Sequence, residues 1–284
     1  MSLTRAALLV VRALPAEPAI LVVRLLVIIY LLFRPDCRTE VRANFRTVCG
    51  RDDAWFWVRN GWRVGRNLAI MARIGTRQTD AIIDRARIYT DNITRRFLEQ
   101  NLHVTMVSFH YGLWELLPKV FARRGVDVAV AVGRQRDRGL AAELVRLRRL
   151  DSVAEVEGLI DMARRMGRGG LTGFMLDNTS RGRQEWFESG GVSMCLPVAG
   201  FRLAARAGVG LAVIIGHLEH GRLRVEVRSV TDESATLAFL LEAVRRRPED
   251  WVFWDKAGAV VQAERSRCPV VAGEQGPERA FEAT

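Results

Sequence analysis

Residues 104–115 read Val-Thr-Met-Val-Ser-Phe-His-Tyr-Gly-Leu-Trp-Glu. The first six are rich in β-branched and large apolar side chains, which suits a short buried strand. Gly112 breaks the run, and Leu113–Arg124 has helical spacing closed by Gly125. A second strand-like run, Val126–Val132 (VDVAVAV), follows at once. Strand, helix, strand is the unit of a parallel sheet with covering helices, so this stretch decides for an α/β fold. His110 then falls at the carboxyl end of a strand, where α/β proteins gather ligand and catalytic groups. Glu115 lies five positions on, in the first turn or so of the following helix. A helix start folding back over the strand end brings its carboxylate to the imidazole Nδ1. That would fix the tautomer and leave Nε2 to accept a proton from a hydroxyl. No serine or cysteine stands in an elbow beside His110, which argues against a covalent enzyme intermediate.

The same alternation continues downstream. Helices are expected over Leu140–Leu150 and on through Met166, a strand over Leu171–Leu176, and a helix over Pro197–Ala207. Val209–Ile215 reads as a strongly apolar strand, and Arg222–Arg228 (RLRVEVR) alternates with period two, as a half-exposed strand does. Gly216–Gly221 between them reads as a hairpin loop. It carries His217 and His220, an H-x2-H pair without a third metal ligand. A helix over Ser234–Arg247 precedes Pro248-Glu249-Asp250, a composition that opens a further helix. Upstream, residues 36–100 read as helical throughout. Asp53 is placed to cap a helix from Ala54 to Gly75, and Thr79 or Asp80 opens another through about Gln100. The whole is an α/β protein, with a mixed central sheet flanked by helices and a helical N-terminal section.

That section begins with Ala19–Phe33 (AILVVRLLVIIYLLF), fifteen residues interrupted only by Arg24. A bilayer span needs roughly 20 apolar residues, so the run is short. Two readings stand, a membrane anchor in or just across one leaflet and a buried core helix; the first is adopted. Arg24 can snorkel, and Arg34, Arg38, Arg42 and Arg46 suit anionic headgroups and the cytoplasmic side. The aromatics Trp55, Phe56, Trp57 and Trp62 fit either core packing or a membrane interface. Residues 1–35 are therefore expected to anchor, 36–261 to form the functional domain and 262–284 to be a polar tail. The charge agrees with an anionic partner. Among 284 residues, 43 Lys and Arg outweigh 32 Asp and Glu for a net +11. Four cysteines without CxxC spacing speak against a disulfide framework or structural zinc, and for a reducing compartment.

The motifs taken in order resemble one family, the lysophospholipid-type acyltransferases. Within it they are most similar to the lipid A late (lauroyl/myristoyl) branch, which includes phosphatidylinositol mannoside acyltransferases. His110-Tyr-Gly-Leu-Trp-Glu115 resembles its HxxxxD/E dyad. Gly133-Arg134 and Arg149 resemble two family arginines, and Gly173-Phe-Met-Leu-Asp177-Asn178 resembles a strand end carrying an acid. Trp186-Phe187 through Leu196-Pro197 to Gly208 is similar to a family segment, as is Arg247-Pro-Glu-Asp-Trp251-Val-Phe-Trp254. The likeness spans roughly residues 20–258. The chain departs from the pattern at Asp177-Asn178-Thr179, which lacks a second acid, at Glu188–Gly191, and at Trp254-Asp255-Lys256.

The resemblance implies direct transfer of a fatty acyl chain from acyl carrier protein or acyl-CoA to a hydroxyl of a membrane lipid or glycolipid. His110 would be the base, oriented by Glu115. Arg134 and Arg149 would hold phosphate or carbonyl oxygens, and Asp177 would contact the acceptor or pair with an arginine. Oxyanion donors are expected from backbone N–H groups around Gly112 or from an arginine. No metal or redox cofactor is implied, and the expected site of action is the cytoplasmic face of the inner membrane. The other reading is a catalytically inactive relative, or a basic protein that binds membranes or anions. Nucleic acid is disfavoured, because the aromatics cluster with apolar residues rather than interleaving with arginines.

Overall fold

The computed structural model describes residues 3–100, 102–132, 142, 145–146, 153–156, 158–177, 183–255 and 260–261. The central feature is a seven-stranded mixed sheet. Its strands are β1 (Arg87–Thr90), β2 (Val104–Ser108), β3 (Val128–Ala131), β4 (Ala154–Val156), β5 (Leu171–Met175), β8 (Gly210–Glu219) and β9 (Arg222–Ser229). Their order is β1-β9-β8-β2-β5-β3-β4, with only the β8–β9 hairpin antiparallel. A second, antiparallel sheet joins β6 (Gln184–Ser189) and β7 (Val192–Pro197) to β10 (Val260–Val261).

Side-chain alternation explains the two cores. Val107, Phe109, Val213 and Ile215 point to one face of the main sheet, and Met106, Ala212 and Ile214 to the other. The first face is covered by α3 (Pro35–Cys49), the start of α4 (Phe56–Ala72), α9 (Ala199–Ala207), α10 (Glu233–Arg246) and the small sheet. The second is covered by the end of α4, α5 (Arg77–Asp84) and α7 (Leu117–Ala122). Helices α6 (Asn92–Glu99) and α8 (Leu159–Met166) complete the layers. Each fully buried Val, Leu, Ile or Phe contributes about 1.5–3 kcal/mol, so both faces are needed to hold so long a sheet.

Strand β2 is central, with β5 on one side and β8 on the other. After β2 the chain leaves towards β3 and returns through β5, whereas β8 adds on the opposite side. That divergence makes the carboxyl end of β2 a topological switch point, the position at which open α/β sheets bind ligands.

Several expectations are corrected. The helix expected to run to Gln100 is interrupted by β1, because Tyr89 and Thr90 pair with Glu226 and Val227 of β9. Ala154–Val156 is a strand rather than helix, since it completes the sheet edge beside β3. The hairpin loop shrinks to His220 and Gly221, both at positive φ, as β8 runs on to Glu219. His217 is thereby a buried strand residue. Pro248–Asp250 is a single 3-10 turn. Cys37 and Cys49 are free thiols.

At the N-terminus, α1 (Leu3–Ala13) leads into α2 (Ala16–Leu32). Helix α2 lies against α4 at two glycines. A Cβ on Gly65 would sit 2.6 Å from the Arg24 Cα, and one on Gly61 would sit 2.9 Å from the Leu31 Cδ1. The far side of α2 exposes Leu21, Leu25, Leu26, Ile29 and Tyr30, followed by Phe33 at 81%. Among the described residues no single helix is long and apolar enough to cross a membrane. Helices α2 and α3 meet that measure only as a pair, bent by 96°. The aromatic group divides. Phe56 is fully buried and stacked on Phe45, whereas Trp55 and Trp62 are exposed. In the basic cluster Arg34 pairs with Asp36, Arg42 with Asp52, and Arg38 lies over Trp57.

Candidate active site

His110 and Asp177 are brought together by the register of β2 and β5. Ser108 pairs with Met175, and the Leu176 N–H donates to the Ser108 carbonyl at 2.8 Å. The two chains thus leave the sheet side by side, with His110 and Asp177 two residues beyond the paired ends. The Asp177 carboxylate accepts three hydrogen bonds. Oδ1 faces the imidazole Nδ1 at 2.7 Å, and Oδ2 accepts the His110 backbone N–H at 2.7 Å and the Trp251 indole N–H at 2.9 Å. A carboxylate engaged in this way has no proton to give, so Nδ1 carries the hydrogen and Nε2 keeps its lone pair. Nε2 makes no hydrogen bond to the described residues. The imidazole remains reachable, with its side chain 15% exposed against 2% for Asp177.

The expectation that Glu115 orients His110 through Nδ1 is therefore corrected. Asp177 occupies that position, because Leu113 to Leu116 form a turn and a 3-10 helix (Trp114–Leu116) rather than a helix folding back over the strand end. Glu115 instead lines an apolar cleft of about 90 Å³ between the sheet and α7. Trp114, Leu117, Phe121, Met106, Val130 and Phe174 also line it. Trp114 joins cleft to base, its ring lying 5.3 Å from the imidazole, and Phe253 flanks the imidazole at 4.6 Å.

The loop from 110 to 113 is held rigidly. Gly112 has φ +59°, and a Cβ there would overlap the Gly216 carbonyl oxygen. Its N–H donates to the Asp250 carbonyl at 2.8 Å, the Leu113 N–H to the Gly216 carbonyl at 3.0 Å, and the Tyr111 N–H to the Phe109 carbonyl at 2.7 Å. The N–H groups of Tyr111, Gly112 and Leu113 are thus spent on the protein, which removes these three from the expected oxyanion donors. The Tyr111 hydroxyl donates to main-chain carbonyls of Ala243 and Arg247, and burial raises its pKa above the ordinary tyrosine value. It offers no proton to a substrate.

The segment Arg247–Trp254, whose motif in the sequence gives no sign of contact with His110, also borders the site. The Val252 N–H donates to the His110 carbonyl at 3.0 Å, and Asn60 of α4 donates to the Trp251 carbonyl at 2.8 Å. Buried Asp250 accepts from Asn67 at 3.1 Å and from Arg247 at 3.0 Å. The segment is thus a strap, tied on one side to the N-terminal helices and on the other to His110 and Asp177. Its cluster of tryptophans beside an acid was the available signal. Arg134 and Arg149 lie outside the described residues. Among the described residues no group of three His, Cys, Asp or Glu side chains is placed to hold a metal ion.

No protein-family model matches this chain, and no curated protein matches it.

Proposed function

We propose that this protein is an acyltransferase. It moves a fatty acyl chain from acyl carrier protein or acyl-CoA to a hydroxyl of a membrane lipid or glycolipid, of the lipid A or phosphoinositol mannoside kind. The observation that carries the reading is the His110–Asp177 pair, with Nδ1 committed to a carboxylate and Nε2 open beside an apolar cleft. Nε2 takes the proton of the acceptor hydroxyl as its oxygen attacks the thioester carbonyl carbon. The C–S bond then breaks, and the departing thiolate recovers that proton from the imidazolium to leave as a thiol. Asp177 holds the ring in the required tautomer and stabilises its positive charge in between. No nucleophilic side chain intervenes, consistent with the resemblance noted in the sequence.

The cleft lined by Trp114, Leu117 and Phe121 suits the acyl chain, since apolar walls with few polar groups are what a hydrocarbon ligand requires. The exposed apolar side of α2 suits association with a membrane surface, and the inner membrane's cytoplasmic face is the site assigned. Arg134 and Arg149 are assigned to phosphate or carbonyl oxygens of the substrates, and the net charge of +11 favours either anionic donor.

The test is mass spectrometry of lipids from cells expressing wild type, His110→Ala and Asp177→Asn. Wild type alone should yield a lipid heavier by one fatty acyl group, with fragments that identify the acceptor. Purified protein given an acyl thioester and that acceptor should reproduce the product. Equal product from the folded variants and wild type would sink the assignment.

A further inference from the structure

A polar cavity lies away from His110, where α2 crosses α4. It has a volume of about 370 Å³ and is lined by Arg24, Arg59, Trp62, Arg63, Arg66 and Glu249. Positions 59, 62, 63 and 66 fall at three- and four-residue spacings, so one face of α4 presents them together. Gly65 admits the α2 backbone at contact distance, which sets Arg24 opposite that face with its guanidinium 4.7 Å from the Trp62 ring centre. The arrangement concentrates four cations around a space the protein does not fill.

The carboxylates nearby do not balance them. Glu249 approaches Arg59 at 3.5 Å, and Arg59 also pairs with Asp53. Asp250 lies 3.9 Å from Arg63 but is already bound by Arg247. Arg24 and Arg66 form no ion pair with the described residues, and the buried Nε of each has no hydrogen-bond partner. A buried guanidinium N–H without an acceptor costs about 1–3 kcal/mol or more. Native proteins leave few such groups unless a ligand or ion completes them. Burial and the charge of Arg63 push the Arg66 pKa down to about 10, the direction expected of a cation lacking its counter-ion.

We infer that the α2–α4 cavity binds a phosphate-type oxyanion, taken from a membrane-lipid headgroup or from free phosphate. Planar guanidinium forks converging on one space match phosphate oxygens in both geometry and charge. The apolar outer side of α2 borders the same helix, so a headgroup phosphate held here would leave its acyl chains beside Leu21 and Leu25. The cavity excludes His110, and the inference does not depend on acyl transfer.

The test uses the full chain in non-ionic detergent. Calorimetry with inorganic phosphate forms one arm. Flotation with phosphatidylcholine vesicles, with and without phosphatidylglycerol, forms the other. Binding of phosphate alone identifies a free oxyanion, and binding only to vesicles containing phosphatidylglycerol identifies a lipid headgroup. In either case Arg24→Gln/Arg66→Gln should weaken binding about tenfold or more. Glu249→Gln, which removes a competing carboxylate, should tighten it. In probe-free buffer the double variant should melt no lower than wild type, which a purely structural pair of arginines would not allow. The inference is overturned if wild type binds neither probe, or if the double variant binds as wild type does. Should the double variant not fold, Glu249→Gln decides, and unchanged affinity then overturns it.

Discussion

The His110 corner and the α2–α4 cavity both place charged groups in partly buried surroundings, yet they are built in opposite ways. At the corner, the Asp177 carboxylate accepts bonds from its own imidazole, a main-chain N–H and the Trp251 indole. In the cavity, the buried Nε atoms of Arg24 and Arg66 have no hydrogen-bond partner. The first arrangement is complete without a ligand, so its geometry is fixed before substrate arrives, and preorganisation of that kind speeds a chemical step. The second is incomplete without one, which costs stability until an anion arrives and so favours binding rather than chemistry.

The sharpest way to break that comparison is to alter the corner's carboxylate. Asp177→Asn keeps the shape but can donate to Nδ1 and favour the wrong tautomer, so kcat should fall by about 10²–10⁴. Glu115→Gln leaves the Asp177–His110 bond intact and should cost much less in kcat. Steady-state kinetics of the two variants decide the matter, and the reverse ranking would restore Glu115 as the orienting group. Next in size is Gly112→Ala. The positive φ and the collision with the Gly216 carbonyl force the loop apart, with an expected loss of about 2–4 kcal/mol in stability, measurable by denaturant unfolding.

Much of the corner was legible in the sequence, but only along the chain. Val104–Phe109 announced a strand, and His110 stands just past its end. The partner was misread because Glu115 is near in sequence and Asp177 is 67 residues away. Only the parallel pairing of β2 with β5 makes Asp177 the closer carboxylate. The same reason hid β1 and β4, whose few residues are strands because an edge was waiting for them. It also hid the strap, since Trp251 and Asp250 look like core and helix-cap residues until Asn60 and Asn67 of α4 are seen to hold them. Arg24 was read as a snorkelling interruption in an apolar run. Nothing in its own neighbourhood reveals that α4 brings three more arginines to meet it.

The strap offers a milder probe of the same contrast. Trp251→Phe keeps most of the buried ring, which stacks on Phe109 with centroids 5.4 Å apart, but removes one donor to Asp177. A charge-assisted bond of this kind is worth about 1.5–3 kcal/mol. Stability should drop by roughly that amount, and kcat should fall while KM for the donor changes little. A KM effect larger than the kcat effect would show that Trp251 shapes substrate binding rather than the base.

The smallest expected effect concerns the two buried histidines, His103 and His217. Burial lowers the pKa of His103 below the ordinary 6.5, and the hydrogen bond to the Gly169 carbonyl and nearby Asp127 offset this only in part; burial lowers His217 likewise. A base with a depressed folded pKa stays neutral in the native state while the unfolded chain takes up a proton. Below about pH 6.5 the unfolded state therefore binds more protons, and stability declines as pH falls, whereas above it the contribution is complete. Each histidine can add a slope of at most about 1.4 kcal/mol per pH unit in that window. Unfolding free energies measured between pH 5 and 7.5 should show the decline, and His103→Gln should flatten it while preserving bonds to Gly169 and Thr172. An unchanged slope in His103→Gln would mean that this buried histidine does not govern acid stability.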